Sequence, residues 1–139
     1  MSYDYIRIED VLAIHSDQIE RYGGSQGLRD PGLLEAALFR PQTGYYQSLI
    51  HEAAALWESL SQNHPFVDWN KRTAFASTYV FLLINGLRIV ARDEDAQVFV
   101  LGLYEAGQFK FENLRVWLSE NTEAIRKCCL ESEEREPGC

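Results

Sequence analysis

Cysteine is almost absent from this sequence: three residues, Cys128, Cys129 and Cys139, all lie in the last dozen of its 139 positions. That number and spacing cannot build a disulfide framework, and adjacent cysteines without a nearby histidine make a poor zinc site. Long apolar stretches are also missing, since no run approaches the roughly 20 residues that cross a bilayer. We therefore expect no structural disulfide, no cysteine metal centre and no association with a membrane.

Positive charge is scarce as well. Thirteen Lys and Arg face 21 Asp and Glu, which gives a net charge of -8 and a pI of about 4.8. Because nucleic-acid binding depends on neutralising phosphates with Lys and Arg, we expect no direct nucleic-acid partner. The first residues show no basic region followed by an apolar one, so we expect no secretory signal and a cytoplasmic location.

The length suits one domain, which at this size buries roughly two thirds of its unfolded surface. We place that domain at residues 1–127. The remaining segment, 128–139, is rich in glutamate and ends in Pro-Gly-Cys, and its composition predicts an acidic, disordered tail.

Hydrophobic spacing and end signals predict helices through most of the domain. The sequence has no run of alternating β-branched residues long enough to found a sheet, although Leu87 to Val90 is predicted to be briefly extended. The fold class is therefore all-α, a compact bundle of about six helices around a buried central helix. We expect that central helix to be the one ending near Ile84, because apolar residues cover nearly all its faces. The six helices are predicted at about 8–22, Asp30 to Pro41, Leu49 to Asn63, Asn70 to Ile84, Asp93 to Gly107, and from Phe111 past Glu120 toward Cys129.

Nine consecutive residues, His64 to Arg72, hold more reactive side chains than any other stretch. Pro65 keeps His64 out of helical angles, so the preceding helix should end just before it. Asn70 or a neighbour is predicted to cap the following helix. The first backbone N–H groups of that helix lack internal partners and lie at the positive end of the helix dipole, which makes this a natural anion site.

The chemistry of these side chains indicates phosphoryl or nucleotidyl transfer to a hydroxyl. His64 is the candidate general base, because the ordinary histidine pKa of ~6.5 suits proton removal near neutral pH. Asp68 is a hard oxygen ligand of the kind that holds Mg²⁺ together with substrate phosphates. Asn70, Lys71 and Arg72 are candidates to hold phosphate oxygens. The alternative is an ordinary polar helix start, but two cations there oppose the helix dipole unless an anion is bound.

Other polar residues have plainer interpretations. His15 is favoured as a hydrogen-bonded histidine at the edge of the core, and Arg29 as a solvated or salt-bridged loop residue. Tyr45 and Tyr46 lie in a loop that could contact a substrate, although packing is the favoured role for both.

The run His-Pro-Phe-Val-Asp-Trp-Asn-Lys-Arg resembles the Fic/Doc family signature HxFx(D/E)GN(G/K)R. It is closest to the death-on-curing (Doc) branch, in which Lys stands before the Arg. The segments 8–15, 23–38, 40–42 and 81–86 also resemble Doc-type sequences, so the resemblance covers roughly residues 5–120.

The resemblance implies an all-helical Fic fold whose motif loop joins two central helices, with ATP as the nucleotide and Mg²⁺ as the metal. In that family pattern His64 is the base that activates the target hydroxyl and Phe66 anchors the loop in the core. Asp68 holds Mg²⁺, while Asn70 and Arg72 bind phosphates.

Lys71 stands where AMP-transferring members have glycine, and Doc proteins with Lys there are kinases that phosphorylate a threonine of elongation factor Tu. The resemblance therefore implies a Doc-like toxin that moves the γ-phosphate of ATP to a Ser/Thr hydroxyl. Such toxins are neutralised by a cognate antitoxin protein. The loop around Thr43 to Tyr46 lies where family members have a flap that aligns the target segment.

Trp69 departs from the pattern, because the family has glycine or alanine at this nucleotide-contacting position. An indole pointing outward, a changed nucleotide preference and an inactive site are all open. The alternatives to a kinase are therefore an AMP transferase or a catalytically silent partner-binding module. The second arginine of AMP-transferring members is Phe75 here. No (S/T)xxxE(G/N) inhibitory motif occurs in the sequence, which favours control by a separate protein.

Overall fold

Six α-helices make up most of residues 3–125, the part of the chain that the computed structural model describes. This confirms the predicted all-α bundle. The tail predicted at 128–139 lies outside the described residues. Within residues 3–125, none of the helices is long and apolar enough to cross a membrane. The elements are α1 Ile8–Tyr22, α2 Pro31–Phe39, a 3₁₀ turn Arg40–Thr43, α3 Leu49–Asn63, α4 Asn70–Ile84, β1 Leu87–Ile89, α5 Asp93–Glu105, α6 Phe111–Glu120 and β2 Thr122–Ala124.

Local capping chemistry explains where α2 and α3 begin and where α1 ends. The Asp30 Oδ1 atom accepts a hydrogen bond from the Leu33 amide at 3.1 Å, and Pro31 is the first residue of α2. Ser48 caps α3 in the same way, with its Oγ accepting from the His51 amide at 3.3 Å. At the end of α1, Gly23 has φ 83°, a conformation that costs glycine little.

The central helix of the bundle is α3, not α4 as predicted. Nine residues of α3 are buried, including the consecutive alanines from Ala53 to Ala55, whose small side chains let the neighbouring helices approach closely. Trp57 lies fully buried among aromatic rings of four other segments. By contrast, α4 exposes Leu83 and Ile84. Apolar composition on every face therefore did not identify the most buried helix.

A two-stranded antiparallel sheet closes the end of the bundle. Its register pairs Leu87 with Ala124 and Ile89 with Thr122. The brief extension predicted after α4 is confirmed, but β2 was not predicted. The expected continuation of α6 toward Cys129 is wrong, because α6 ends at Glu120, where side chains of the next two residues bond its last carbonyls.

The cap of α4 is Trp69, the neighbour of Asn70, which agrees with the prediction that Asn70 or a neighbour caps this helix. Asn70 is the first helical residue, and its side chain bonds the backbone of the motif loop. The cap of α5 is Arg92, one residue before the predicted cap Asp93.

Candidate active site

The motif loop, residues 64–69, joins α3 to α4 and is held by the segment that links α1 to α2. The Pro65 carbonyl accepts hydrogen bonds from the Arg29 and Asp30 amides at 2.7 and 3.0 Å. The Val67 amide donates to the Gly27 carbonyl at 3.1 Å. This pairing spans a long sequence separation and gives the loop a defined backbone conformation.

Phe66 anchors the loop in the core, as the family resemblance implied. Its side chain is 2% exposed and stacks on the His15 ring, with the centroids 3.9 Å apart. The His15 Nε2–H donates to the Asp68 carbonyl at 2.9 Å. His15 is therefore the hydrogen-bonded histidine predicted at the core edge, and it fixes the backbone beside the Asp68 carboxylate.

His64 is exposed and follows the last residue of α3 in a left-handed conformation, with φ 50° and ψ 57°. Its Nδ1 atom lies 2.9 Å from the Gln62 carbonyl, and because a carbonyl only accepts, Nδ1 carries the proton. In neutral imidazole this leaves a lone pair on Nε2, the state that a general base requires. The loop geometry thus sets the tautomer of the candidate base.

Arg29 holds the backbone on which His64 sits. Its guanidinium donates to the His64 carbonyl at 2.7 Å and to the Asn63 carbonyl at 3.0 Å. These are end carbonyls of α3, which have no partner inside the helix. Arg29 is exposed, as the favoured interpretation of a solvated loop residue expected, but it also caps the helix that delivers the histidine.

Asp68 lies in the motif loop and Asn70 is the first residue of α4, and the two differ in how their polar atoms are used. The exposed Asp68 carboxylate accepts from the Trp69 amide at 2.9 Å and, on its other oxygen, from the Ser25 amide at 3.3 Å. The Asn70 side chain bonds both backbone groups of Phe66: its Oδ1 accepts at 2.9 Å and its Nδ2 donates at 3.0 Å. Asn70 therefore braces the loop, whatever contact it makes with a phosphate.

The N-terminus of α4 differs from those of the other five helices in residues 3–125. The other five have an acidic residue in the first turn or a side-chain cap, whereas α4 has neither and places Lys71 and Arg72 there. The Thr73 amide is the first to bond within the helix, to the Trp69 carbonyl at 3.0 Å. The preceding amides and two exposed cations thus form a concentrated positive site.

Aromatic rings surround the cations. The Lys71 ammonium lies 4.1 Å from the centroid of the Tyr104 ring. The Arg72 guanidinium carbon lies 5.1 Å from the ring of Tyr22 and 5.1 Å from that of Trp69. Trp69 itself has φ 64°, so the position where the family has glycine does require a left-handed residue.

A groove of about 690 Å³ begins at Lys71 and Arg72 and runs between α1, α4 and α5. Tyr22 and Gln18 line its α1 side, and its lining is more apolar than polar. It is large enough to take a ligand or a peptide segment beside the positive site.

The predicted flap is anchored at one end and exposed at the other. The Tyr46 hydroxyl accepts from the Arg40 guanidinium at 2.7 Å, and Arg40 pairs with Glu58 of α3 at 2.8 Å. Tyr45, in contrast, is 81% exposed. The favoured packing role therefore fits Tyr46 and not Tyr45.

The structure brings the predicted residues together in one loop and the first turn of the helix that follows it. The sequence did not identify Arg29, Tyr22 or Gly24 as parts of this assembly, because each comes from the α1–α2 region and joins the loop only in the folded chain. For Arg29 and Gly24 the one available signal was the Doc-like segment 23–38, which matched the family without indicating what it contacts, and Tyr22 lies just before that segment.

Comparisons with known proteins agree with this geometry. The model of the Fic/DOC family matches residues 5–82. The chain is 47% identical over 93 residues to a protein of Mycolicibacterium smegmatis named toxin Doc, covering 63% of this chain and 69% of that protein. It is 36% identical over 100 residues to a protein of Escherichia phage P1 named protein kinase doc, covering 69% of this chain and 79% of that one. This chain belongs to the Fic/DOC family.

Proposed function

We propose that the protein is a Doc-like toxin kinase that transfers the γ-phosphate of ATP to a Ser or Thr hydroxyl of a protein target. The observation that carries the proposal is the start of α4, where unpaired amides and the two cations Lys71 and Arg72 adjoin a histidine with a free Nε2. A site of this kind suits a polyphosphate, because the amides and cations stabilise charge on its oxygens. The relatives named toxin Doc and protein kinase doc support the same assignment.

His64 would act as the general base. Its Nε2 takes the proton of the target hydroxyl, the hydroxyl oxygen attacks the γ-phosphorus, and the bond to the β,γ-bridging oxygen breaks to release ADP. The Nδ1 bond to the Gln62 carbonyl at 2.9 Å holds the ring, and this bond strengthens as the imidazole becomes positive.

Mg²⁺ fits the donor set, since Asp68 offers an exposed carboxylate beside the phosphate site. No cluster of three or more His, Cys, Asp or Glu side chains within residues 3–125 could hold a metal by itself. A single carboxylate plus substrate phosphates is the usual way in which proteins bind Mg²⁺. When bound, the ion would neutralise part of the phosphate charge.

The choice of γ-transfer over AMP transfer rests on two positions of the motif. Lys71 replaces the glycine of AMP-transferring members, and its ammonium is held over the Tyr104 ring at the edge of the phosphate site. Phe75 replaces their second arginine and lines the groove. The protein therefore lacks a cation that AMP transfer uses and has gained one at a different place.

The partners follow from the same proposal. A cognate antitoxin would bind in the groove between α1, α4 and α5, where it would cover Arg72. The protein substrate would align along the flap with its exposed Tyr45, and elongation factor Tu is the candidate that the family resemblance supplies.

Labelled ATP tests the proposal directly. Purified protein with Mg²⁺ and purified elongation factor Tu should transfer γ-label but not α-label, and His64→Ala should reduce transfer by at least ~10²-fold, the usual contribution of a general base. His51→Ala is the matched control, because His51 lies in α3, at the end opposite to His64, and bonds the cap residue Ser48. Transfer of α-label would establish AMP transfer instead. Absence of both labels from this target and from a bacterial lysate would indicate a silent partner-binding module.

A further inference from the structure

We infer that Trp69 is a positioning residue that, together with Tyr22, holds the Arg72 guanidinium at the phosphate site. The inference rests on the proposed role of Arg72 as a phosphate ligand. It assigns a task to the residue that departs most from the family pattern.

The indole of Trp69 has a specific place in the fold. Its ring stacks on that of Tyr22, with the centroids 5.8 Å apart and the planes 29° from parallel. It also lies against Gly24: a Cβ atom at that position would come within 2.2 Å of the Trp69 Nε1 atom. Tyr22 at the end of α1 and Gly24 therefore form a slot that accepts the indole on the α1 side of the loop.

Arg72 makes its described contacts with these two rings. Its guanidinium carbon is equidistant from them, at 5.1 Å. Within residues 3–125 no carboxylate lies within 4.0 Å of it to form a salt bridge. Aromatic faces attract a guanidinium and restrict its motion without neutralising its charge, so its hydrogen-bond donors stay available for an anion.

The strained backbone conformation of Trp69 supports a functional role for its contact with Arg72. Trp69 occupies φ 64°, a region that glycine enters without strain and bulky residues rarely enter. Glycine at this position would relieve that strain but would leave Arg72 with one aromatic neighbour. If the indole instead obstructs the phosphates, Trp69→Gly should tighten nucleotide binding, whereas the positioning role predicts weaker binding. The direction of the change therefore distinguishes the two interpretations.

The test is the dissociation constant of ATP, measured by calorimetry with and without Mg²⁺ on the full chain. Trp69→Gly should weaken ATP binding by about two- to fivefold, the range that exposed cation–π contacts supply. Its resistance to thermal unfolding should change little, because relief of the left-handed strain offsets the lost stacking on Tyr22. Trp69→Phe should restore most of the affinity, since a smaller aromatic face remains.

Tyr22→Leu should weaken ATP binding in the same way, whereas Tyr79→Leu is the matched control. Tyr79 lines the same groove, but its ring packs at a tilt against Phe75, with the centroids 6.4 Å apart. ATP should also change the tryptophan emission of the natural protein, and this change should be lost in Trp69→Phe.

Arg72→Ala separates this inference from the proposed function. If Arg72→Ala weakens ATP binding and Trp69→Gly causes no further loss in the Arg72→Ala background, the phosphate role of Arg72 and the positioning role of Trp69 are both supported. If Arg72→Ala weakens binding while Trp69→Gly leaves it unchanged or tightens it, the positioning role is overturned and the phosphate role of Arg72 survives. If Arg72→Ala leaves ATP binding unchanged, both are overturned.

Discussion

The side-chain amide of Asn70 forms hydrogen bonds with both the backbone N–H and the carbonyl of Phe66, at the turn where the motif loop enters α4. Since Phe66 is 2% exposed, these groups have little access to water if the amide is removed. A residue that family resemblance assigns to phosphate binding is thus also a structural brace. Its two tasks are separable by experiment, because stability reports on one and nucleotide affinity on the other.

Asn70→Ala should lower the free energy of unfolding by ~2 kcal/mol, since a buried N–H and a carbonyl each lose a partner. Urea denaturation measures the change. Asn113→Ala is the control: its amide donates a single exposed bond to the Gln108 carbonyl and its loss should change stability by ~0.5 kcal/mol or less. Equal stability of the two variants would show that Asn70 does not brace the loop.

At the scale of elements, the junction between α3 and α4 depends on the segment that follows α1. Arg29 bonds the last carbonyls of α3, and its neighbours pair with the motif loop. The candidate base at one helix end and the candidate anion site at the next helix start are therefore aligned by a third segment, which is distant in sequence.

Arg29→Ala should lower stability by about 1–2 kcal/mol, the size expected for hydrogen bonds from a charged group at a surface site. It should also reduce phosphate transfer, because the His64 backbone loses its support. Arg29→Lys should rescue only partly, as an ammonium cannot reproduce the fork that reaches two carbonyls.

Differential scanning fluorimetry and the γ-label assay measure both effects. Arg21→Ala is the matched control, because its salt bridge to Asp17 is exposed on both sides and contributes little. If Arg29→Ala behaves like Arg21→Ala in both assays, the capping role is refuted.

At the scale of the whole molecule, α3 carries one buried carboxyl, Glu52, into the core. Burial raises the pKa of Glu52, partly offset by a hydrogen bond from Tyr5. Burial also raises the pKa of Tyr5 to about 12, with a further increase from the Glu52 carboxyl. The folded protein therefore retains the Glu52 proton at pH values where the unfolded chain has lost it.

This difference makes stability depend on pH in a defined direction. The contribution of protonated Glu52 is complete below the ordinary glutamate pKa of ~4.3 and is lost as pH rises through the raised folded value. Glu52→Gln should remove that loss, so its stability relative to the natural protein should increase with pH across this window.

Urea unfolding at a series of pH values from acid to neutral measures the stability difference between Glu52→Gln and the natural protein. Glu35→Gln, on the exposed side of α2, should show no such trend. A constant difference between Glu52→Gln and the natural protein at every pH would mean that Glu52 titrates normally in the fold.

The sequence by itself determined most of the helices and the contiguous residues of the candidate active site. Capping pairs such as Asp30-Pro31 and the break at His64-Pro65 act within a few residues, so α2 begins and α3 begins and ends as predicted, whereas α2 ends at Phe39, before the predicted Pro41. The nine-residue motif was recognisable for the same reason, because its chemistry is contiguous in the chain.

Only the tertiary structure decided what depends on contacts between distant segments. The central position of α3, the pairing of β2 with β1, the capping of α3 by Arg29 and the slot that receives Trp69 all join residues far apart in sequence. Local propensity contains no information about such contacts, since burial and side-chain direction follow from how the helices pack. The indole at position 69 illustrates the division: the sequence showed that it replaces glycine, and the fold placed it between Tyr22, Gly24 and Arg72.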